Sequence, residues 1–171
     1  MKGLQQGGVI ATAKHFPGHG STAVDSHFAL PAVNKSAALL ESVELMPFKQ
    51  AVWTGAAEAI MTAHVSFPAI DESDLPATLS PKILTGILRE RLGFLGLIVS
   101  DSMTMDAIDR RFPKGQAAVQ AFRAGVDIIA IGADLGATSA AARAAYDALL
   151  AAVRDDSALR ERLDESVRRV L

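Results

Sequence analysis

Four short apolar runs punctuate the chain, and each gives way to polar or glycine-containing sequence. They occupy residues 9–13, 59–63, 97–100 and 126–131. Short apolar runs bounded by turn-forming residues are typical of buried strands. We therefore predict four strands, the first of which carries Lys14 at its carboxyl end.

The segments between these runs have the apolar spacing of helices, which we predict at residues 36–53, 81–92, 117–124, 137–153 and 157–171. Ser36 and Ser80 are suited to cap helix starts, and either Asp156 or Ser157 is suited to cap the last one. The first and last helices are predicted to bury one apolar face each. The predicted buried residues are Leu39, Leu40, Val43, Met46, Phe48, Val52 and Trp53 in the first helix and Leu159, Leu163, Val167 and Leu171 in the last.

The alternation of strand and helix predicts the fold class. A strand followed by a helix occurs four times, and no two strands are joined by a tight hairpin. This order requires a parallel sheet with right-handed crossovers, which is an α/β architecture. Four such units amount to half of an eight-unit (β/α)8 barrel, and we treat residues 1–171 as one domain.

Composition excludes several classes of protein. The chain has 171 residues, a formal charge of −2 and no cysteine, which excludes disulfides and thiolate metal sites and indicates neither nucleic-acid nor membrane-surface partners. No apolar run approaches the roughly 20 residues that cross a bilayer. Residues 1–8 lack the basic and apolar pattern of a signal peptide, so the expected location is the cytoplasm.

Polar side chains follow three of the four predicted strands. Lys14 and His15 follow the first strand, His64 the second and Asp101 the third. Parallel α/β sheets bind ligands at the carboxyl edge of their strands. We therefore expect these groups to surround one pocket, together with residues 25–27 (DSH) from the glycine-rich loop.

The residue types suit glycoside hydrolysis. A retaining glycosidase needs one anion to attack the sugar and one group that donates and then accepts a proton. Asp101 suits the first task, and His27 suits the second because imidazole titrates near neutral pH. Asp25 is placed to fix the tautomer of His27. Less specific readings remain open: Asp101 as a helix cap, His27 as a surface histidine, and His15 as a partner of loop backbone.

Several motifs together resemble glycoside hydrolase family 3, in particular its bacterial β-N-acetylglucosaminidase branch. They follow the order of the family's motifs along the whole chain. The motifs are residues 14–20 (KHFPGHG), 25–27 (DSH), 61–65 (MTAHV), 76–80 (PATLS), 99–105 (VSDSMTM), 124–127 (AGVD) and 166–171 (SVRRVL).

The resemblance implies that the chain is the second half of a TIM-type (β/α)8 barrel. It also implies a retaining hydrolase that removes terminal β-linked N-acetylglucosamine, with muropeptides as one expected source. It implies Asp101 as nucleophile and His27 with Asp25 as the acid/base pair. It also implies that the sugar is bound by Lys14, His15, His64 and Met105, without a metal or cofactor. The family's barrel uses further sugar-binding residues in a first half that has no counterpart here, so a missing N-terminal half or a homo-oligomer is an expected partner.

Three alternatives remain open. Zinc bound by some of the histidines with Asp101 would make a metal-dependent hydrolase. A half-barrel with open sheet edges would be an inactive fragment or an assembly module. A phosphorylase would use the same residues, because a histidine acid/base does not repel phosphate as a carboxylate does.

Overall fold

The computed structural model of the chain describes residues 1–22, 25–113, 115–132 and 139–171. It contains three strands, seven α-helices, two π-helical segments and one 3-10 turn within those residues. The strands are β1 (Thr12–Phe16), β2 (Ala59–Thr62) and β3 (Leu97–Val99). The α-helices are α1 (Lys2–Gln6), α2 (Ala37–Leu39), α3 (Met46–Trp53), α4 (Asp106–Asp109), α5 (Gln116–Ala124), α6 (Ser139–Asp155) and α7 (Ser157–Val170). The π-helical segments are Leu40–Glu44 and Lys82–Arg91, and the 3-10 turn is Ala77–Leu79.

The three strands form one parallel sheet in the order β1-β2-β3. Thr12 is opposite Ala59, which is in turn opposite Leu97, so the three strands begin at the same level. Because parallel strands in this register also end at the same level, their carboxyl ends form one edge of the sheet. The predicted parallel α/β arrangement is confirmed.

The predicted fourth strand is wrong as a regular strand. The chain passes alongside β3, but only Ile128 forms a bridge, with Val99. The Ser100 amide donates to the Ile128 carbonyl at 2.9 Å, whereas the Ala130 amide donates to the Ser100 hydroxyl at 2.9 Å. A side chain thus takes the amide that would have continued the ladder.

The first strand begins later than predicted. Residues 9 and 10 are exposed, and β1 runs to Phe16, which is fully buried against Phe48. The two aromatic rings meet edge to face with their centroids 5.1 Å apart. Burial of Phe16 extends the strand beyond its apolar run, so Lys14 and His15 lie within β1 instead of after it.

The first predicted helix is divided, and part of its predicted face is wrong. Leu40 and Phe48 are buried as predicted, but Leu39, Val43 and Trp53 are exposed. The amide of Leu45 donates to the carbonyl of Leu40, five residues earlier. This wider turn shifts later side chains around the helix axis relative to a regular α-helix. Met46, also predicted to be buried, is exposed, and Val52 is partly buried.

The π-helical segment before β3 packs its apolar residues into the core. Ser80 accepts the amide of Ile83 at its start, and Gly93 follows its end with φ of +70°. Ile83, Leu84 and Leu88 have no exposed surface and pack in the same core as Ile98 of β3 and Ile60 of β2. This apolar layer fixes one face of the sheet.

Helix α7 presents polar side chains to the sheet, contrary to the predicted apolar face. Leu159 is buried, but Leu163, Val167 and Leu171 are exposed. Polar residues of α7 face the sheet because they bind Asp127, whose side chain is fully buried. The helix starts as predicted, at Asp156, which accepts the amide of Ala158.

Helix α6 extends over Ser139–Asp155. The first two residues of the predicted helix, 137 and 138, lie outside the described part of the chain. Within that part, no helix is both long and apolar enough to cross a membrane.

Asp127 ties β3 to the helices around it. One carboxylate oxygen accepts the Ile98 amide at 2.9 Å and Arg89 at 2.5 Å. The other accepts Arg162 at 2.9 Å and Arg169 at 3.2 Å. Burial alone would raise the pKa of Asp127, but the Ile98 hydrogen bond and the arginine charges outweigh it and hold the pKa below its ordinary value.

We expect Asp127→Asn to lower the free energy of unfolding by about 3–5 kcal/mol, because it leaves buried guanidinium groups without their anion. Urea denaturation at neutral pH measures this loss. The matched control is Asp147→Asn, which breaks an exposed pair with Arg143 and is expected to cost at most about 0.5 kcal/mol. Equal effects of the two substitutions would contradict a structural role for Asp127.

Candidate active site

The carboxyl edge of the sheet brings together groups that are far apart in the sequence. His15 Nε2 of β1 lies 3.6 Å from Asp101 Oδ2, which follows β3. Burial lowers the pKa of His15, and the negative charge of Asp101 opposes that effect. The imidazole and the carboxylate thus face each other across the end of the intervening strand, as the parallel order predicts.

Asp101 begins a tight turn after β3. Its Oδ1 accepts the amide of Ser102 at 2.8 Å, and the carboxylate is 19% exposed. The Met103 amide donates to the Ala130 carbonyl at 3.0 Å, which holds the turn against the segment beside β3. The carboxylate therefore has one oxygen fixed by backbone and a second that faces His15.

Asp25 and His27 form the predicted pair. His27 Nδ1 lies 2.8 Å from Asp25 Oδ1, which also accepts the His27 amide at 2.9 Å. These hydrogen bonds, from the amide first and then from the ring, lower the pKa of Asp25. An ionised carboxylate accepts only, so Nδ1 carries a proton and Nε2 is the ring atom available to another group.

The loop that carries this pair contacts the segment that follows Asp101. The Asp106 amide donates to the His27 carbonyl at 3.4 Å. Asp25 and His27 therefore lie at the same edge of the sheet as Asp101.

His64 lies beneath this edge instead of lining an open surface. It follows β2 as predicted but has no exposed surface. Its Nδ1 lies 2.8 Å from Thr78 Oγ1, and its Nε2 lies 2.9 Å from the Ser102 carbonyl. Both ring nitrogens thus have protein partners, an arrangement that differs from the predicted sugar contact.

Lys14 and Met105, which were also predicted to bind the sugar, differ in burial. Lys14 is exposed on β1, directly before His15. Met105 is almost completely buried, at 1% exposure, and therefore belongs to the interior and not to an open pocket wall.

A family model for the glycosyl hydrolase family 3 N-terminal domain matches residues 1–171. The chain belongs to this family. The family's N-terminal domain is of the TIM-barrel type, in agreement with the fold class expected from the strand and helix order.

The proteins that this chain resembles include two kinds of enzyme, hexosaminidases and a phosphorylase. β-Hexosaminidase A of Pseudoalteromonas piscicida is 38% identical over 138 residues, which are 75% of this chain and 23% of that protein. A family 3 β-N-acetylglucosaminidase from Paenibacillus sp. str. FPU-7 is 46% identical with a TM-score of 0.91, over 98% of this chain and 31% of that chain. A β-glucoside phosphorylase is 29% identical with a TM-score of 0.86, over 99% of this chain and 30% of that chain. The chain thus spans between about a quarter and a third of the length of these relatives.

The glycine-rich loop that follows β1 is held at its base by the buried carboxylate of Glu44, which was not predicted from the sequence. Glu44 Oε1 accepts Ser21 Oγ at 2.7 Å and Lys35 Nζ at 2.5 Å. A Cβ on Gly18 would lie 2.8 Å from Glu44 Oε2, so the glycine lets the loop pass close to this side chain. No sequence signal marks Glu44, because it lies on the π-helical segment Leu40–Glu44 among residues that look like an ordinary amphipathic helix.

A second set of contacts orders the loop around the Asp25 and His27 pair. His19 Nε2 lies 2.9 Å from the hydroxyl of Ser26, and His19 Nδ1 lies 2.9 Å from that of Thr22. Ser26 is buried, whereas the residues on either side of it are exposed. Both ring nitrogens of His19 thus contact hydroxyl groups of the loop.

The zinc interpretation lacks a ligand set in the described ranges 1–22, 25–113, 115–132 and 139–171. No group of three histidine or carboxylate side chains there is arranged to hold a metal ion. His27 is paired with Asp25, and His64 is bonded in the interior.

The burial of His64 predicts a pH-dependent stability. Burial lowers its pKa from 6.5 to about 4, so the unfolded chain binds a proton more readily than the folded chain between these values. The free energy of unfolding therefore falls as the pH drops from 6.5 towards 4, by about 3 kcal/mol for this residue.

Denaturant unfolding of the wild type and of His64→Gln, at neutral pH and at about pH 4, isolates this contribution. The wild type is expected to lose about 3 kcal/mol more than the variant, which has no imidazole to protonate. Parallel losses in the two proteins would contradict a neutral buried His64.

Proposed function

We propose that this site performs retaining hydrolysis of terminal β-linked N-acetylglucosamine, with Asp101 as nucleophile and His27 as acid/base. The observation that carries the proposal is the junction of two βα connections. Asp101 faces His15 at 3.6 Å, and the loop of His27 is hydrogen-bonded at 3.4 Å to the segment that follows Asp101. A carboxylate and an imidazole from separate connections are what a two-step displacement at a sugar carbon requires.

In the first step, Oδ2 of Asp101 attacks the anomeric carbon, because Oδ1 is engaged by the Ser102 amide. The bond from that carbon to the leaving oxygen breaks as His27 Nε2 gives the oxygen its proton. The product is an ester between the sugar and Asp101. In the second step, His27 takes a proton from water, which attacks the same carbon and frees the carboxylate.

Asp25 supports both steps through the ring of His27. Its carboxylate holds the Nδ1 proton at 2.8 Å, so Nε2 is the atom that gives and receives the proton in catalysis. A carboxylate in this position also stabilises the imidazolium form, as in a serine-protease triad.

The proposed substrate class is supported by similar proteins that bear the names β-hexosaminidase and β-N-acetylglucosaminidase. We propose that Lys14 and His15 donate hydrogen bonds to the sugar hydroxyls. Muropeptides in the cytoplasm are the proposed natural source of the sugar. Because the chain matches only part of each relative, we propose that the active unit includes further barrel units from another polypeptide segment or a second copy of the chain.

Purified chain assayed on an aryl N-acetyl-β-glucosaminide, with its solution mass measured in parallel, tests this function. Release of N-acetylglucosamine with retained anomeric configuration is the expected result. An inverted product from any active assembly would contradict the proposal, as would the absence of turnover by an assembly whose mass includes the further barrel units.

A phosphorylase is the second candidate. An imidazole acid/base carries no negative charge and so admits a phosphate nucleophile, and a solved β-glucoside phosphorylase has a similar structure. Products distinguish the two: in phosphate buffer, a hydrolase yields the free sugar, whereas a phosphorylase yields the sugar 1-phosphate.

Asp101→Ala is expected to lower kcat at least about a thousandfold, because no covalent intermediate can form without the carboxylate. Initial rates on the aryl glycoside measure this loss. Asp109→Ala, which changes a carboxylate on α4, is the control and is expected to stay near the wild-type rate. Turnover of Asp101→Ala near the wild-type rate would overturn the assignment of the nucleophile.

His27→Ala is expected to slow substrates with poor leaving groups by roughly 100-fold to 10,000-fold, whereas activated aryl glycosides lose much less in the first step. The physical reason is that an activated phenolate leaves without a proton. Values of kcat/KM across a series of leaving groups measure the difference. A uniform loss across the series would mean that His27 is not the acid.

A further inference from the structure

We infer that His64 is a positioning residue for the nucleophile: its buried imidazole fixes the turn that carries Asp101 and makes no contact with the sugar. This inference rests on the proposed function, which makes Asp101 the attacking group. It departs from the sugar-binding role that the sequence motif suggests.

The location of His64 supports positioning over binding. The side chain has no exposed surface and lies between β2 and the turn after β3. Its Nε2 is 2.9 Å from the Ser102 carbonyl, and its Nδ1 is 2.8 Å from Thr78 Oγ1. A sugar hydroxyl would have to displace one of these two buried partners in order to bind the ring.

The hydrogen bonds fix the tautomer. A carbonyl oxygen only accepts, so Nε2 carries a proton and donates to Ser102. In the neutral ring, Nδ1 then accepts from the Thr78 hydroxyl, which in turn lies 2.8 Å from the hydroxyl of Thr62. Thr62 and Thr78 are fully buried, so a chain of donors runs from β2 to the Asp101 turn without solvent.

The competing acceptor for the Thr78 proton is the Ala63 carbonyl, at 3.1 Å. It would receive that proton if the ring were doubly protonated. Burial, which lowers the pKa of His64 to about 4, favours the neutral ring and hence the chain that ends at Ser102.

Ser102 transmits the position of His64 to the nucleophile. Its carbonyl accepts from His64, and its amide donates to Asp101 Oδ1 at 2.8 Å. The same residue therefore binds the imidazole on one side and the carboxylate on the other. The Ser102 carbonyl also accepts the Met105 amide at 3.1 Å, so loss of His64 removes one of its donors and does not release it. A shift of the Ser102 backbone that follows this loss also moves the Ser102 amide, and with it the Asp101 carboxylate that accepts from that amide.

His64→Gln and His64→Asn form a matched pair, because both are polar amides and they differ by one methylene. The longer glutamine reaches the Ser102 carbonyl, whereas asparagine reaches only as far as Thr78. Thr85→Val is the control: it removes a hydroxyl that donates to the Ala124 carbonyl at 2.9 Å, at the opposite end of the sheet.

The rate and extent of covalent labelling by a 5-fluoro N-acetylglucosaminyl fluoride are measured by mass spectrometry, together with kcat and KM on good and poor leaving groups. We expect His64→Asn to slow labelling of Asp101 and kcat about 10-fold to 100-fold, by the same factor for both leaving groups, with full labelling at the end. We expect His64→Gln to stay within about threefold of the wild type, like Thr85→Val.

Other outcomes overturn the inference in recognisable ways. A role confined to folding would leave the labelling rate unchanged and lower only the final extent. A higher KM with unchanged kcat would make His64 a sugar ligand, and equal activity of the Asn and Gln variants would remove any role for the Ser102 contact. A wild-type assembly that includes the further barrel units, yet neither turns over substrate nor acquires the label, would contradict the proposed function itself.

Discussion

The parallel pairing of β1, β2 and β3 is the constraint on which the rest of the structure depends. Because all three strands begin at the same level and run in the same direction, their carboxyl ends share one edge. An antiparallel neighbour would have sent its last residues to the opposite edge. Residues separated by some fifty to ninety positions in the sequence thus become neighbours, and His15 comes to face Asp101 at 3.6 Å.

Strand β3 is only three residues long, so it needs support at both of its ends. At its amino end, the buried Asp127 accepts the Ile98 amide and gathers three arginines from two helical segments. At its carboxyl end, Ser100 and Met103 bind the neighbouring segment, and His64 binds the Ser102 carbonyl. The carboxylate of Asp101 is therefore presented by backbone that is anchored on both sides.

The loop with Asp25 and His27 is held differently, through side chains at its base. Glu44 accepts hydrogen bonds from Ser21 and Lys35, and His19 is hydrogen-bonded to Ser26. These contacts leave the Asp25 and His27 side chains about half exposed. A group that must transfer a proton to a bound substrate requires this combination of a fixed base and an accessible ring.

The amino-acid sequence alone determined the order of the three strands and the helical segments between them, the caps at Ser36, Ser80 and Asp156, and the edge at which the polar groups meet. It did so because these features depend on local periodicity and on the direction of parallel strands. The residue types likewise marked Asp25, His27 and Asp101 as a chemical set, and the Asp25 and His27 contact was foreseeable because the two lie two positions apart.

Only the tertiary structure decided which faces are buried and what each polar group binds. Leu39 and Val43, beside and within the π-helical turn, are exposed. Helix α7 turns its polar side to the sheet, because its arginines bind the buried Asp127, and its apolar side is left exposed. His64 reads in the sequence like another polar strand end, yet it is closed off under the turn of Ser102. The physical reason is that hydrogen bonds between distant segments satisfy buried polar groups, and no local pattern records which distant partner a side chain meets.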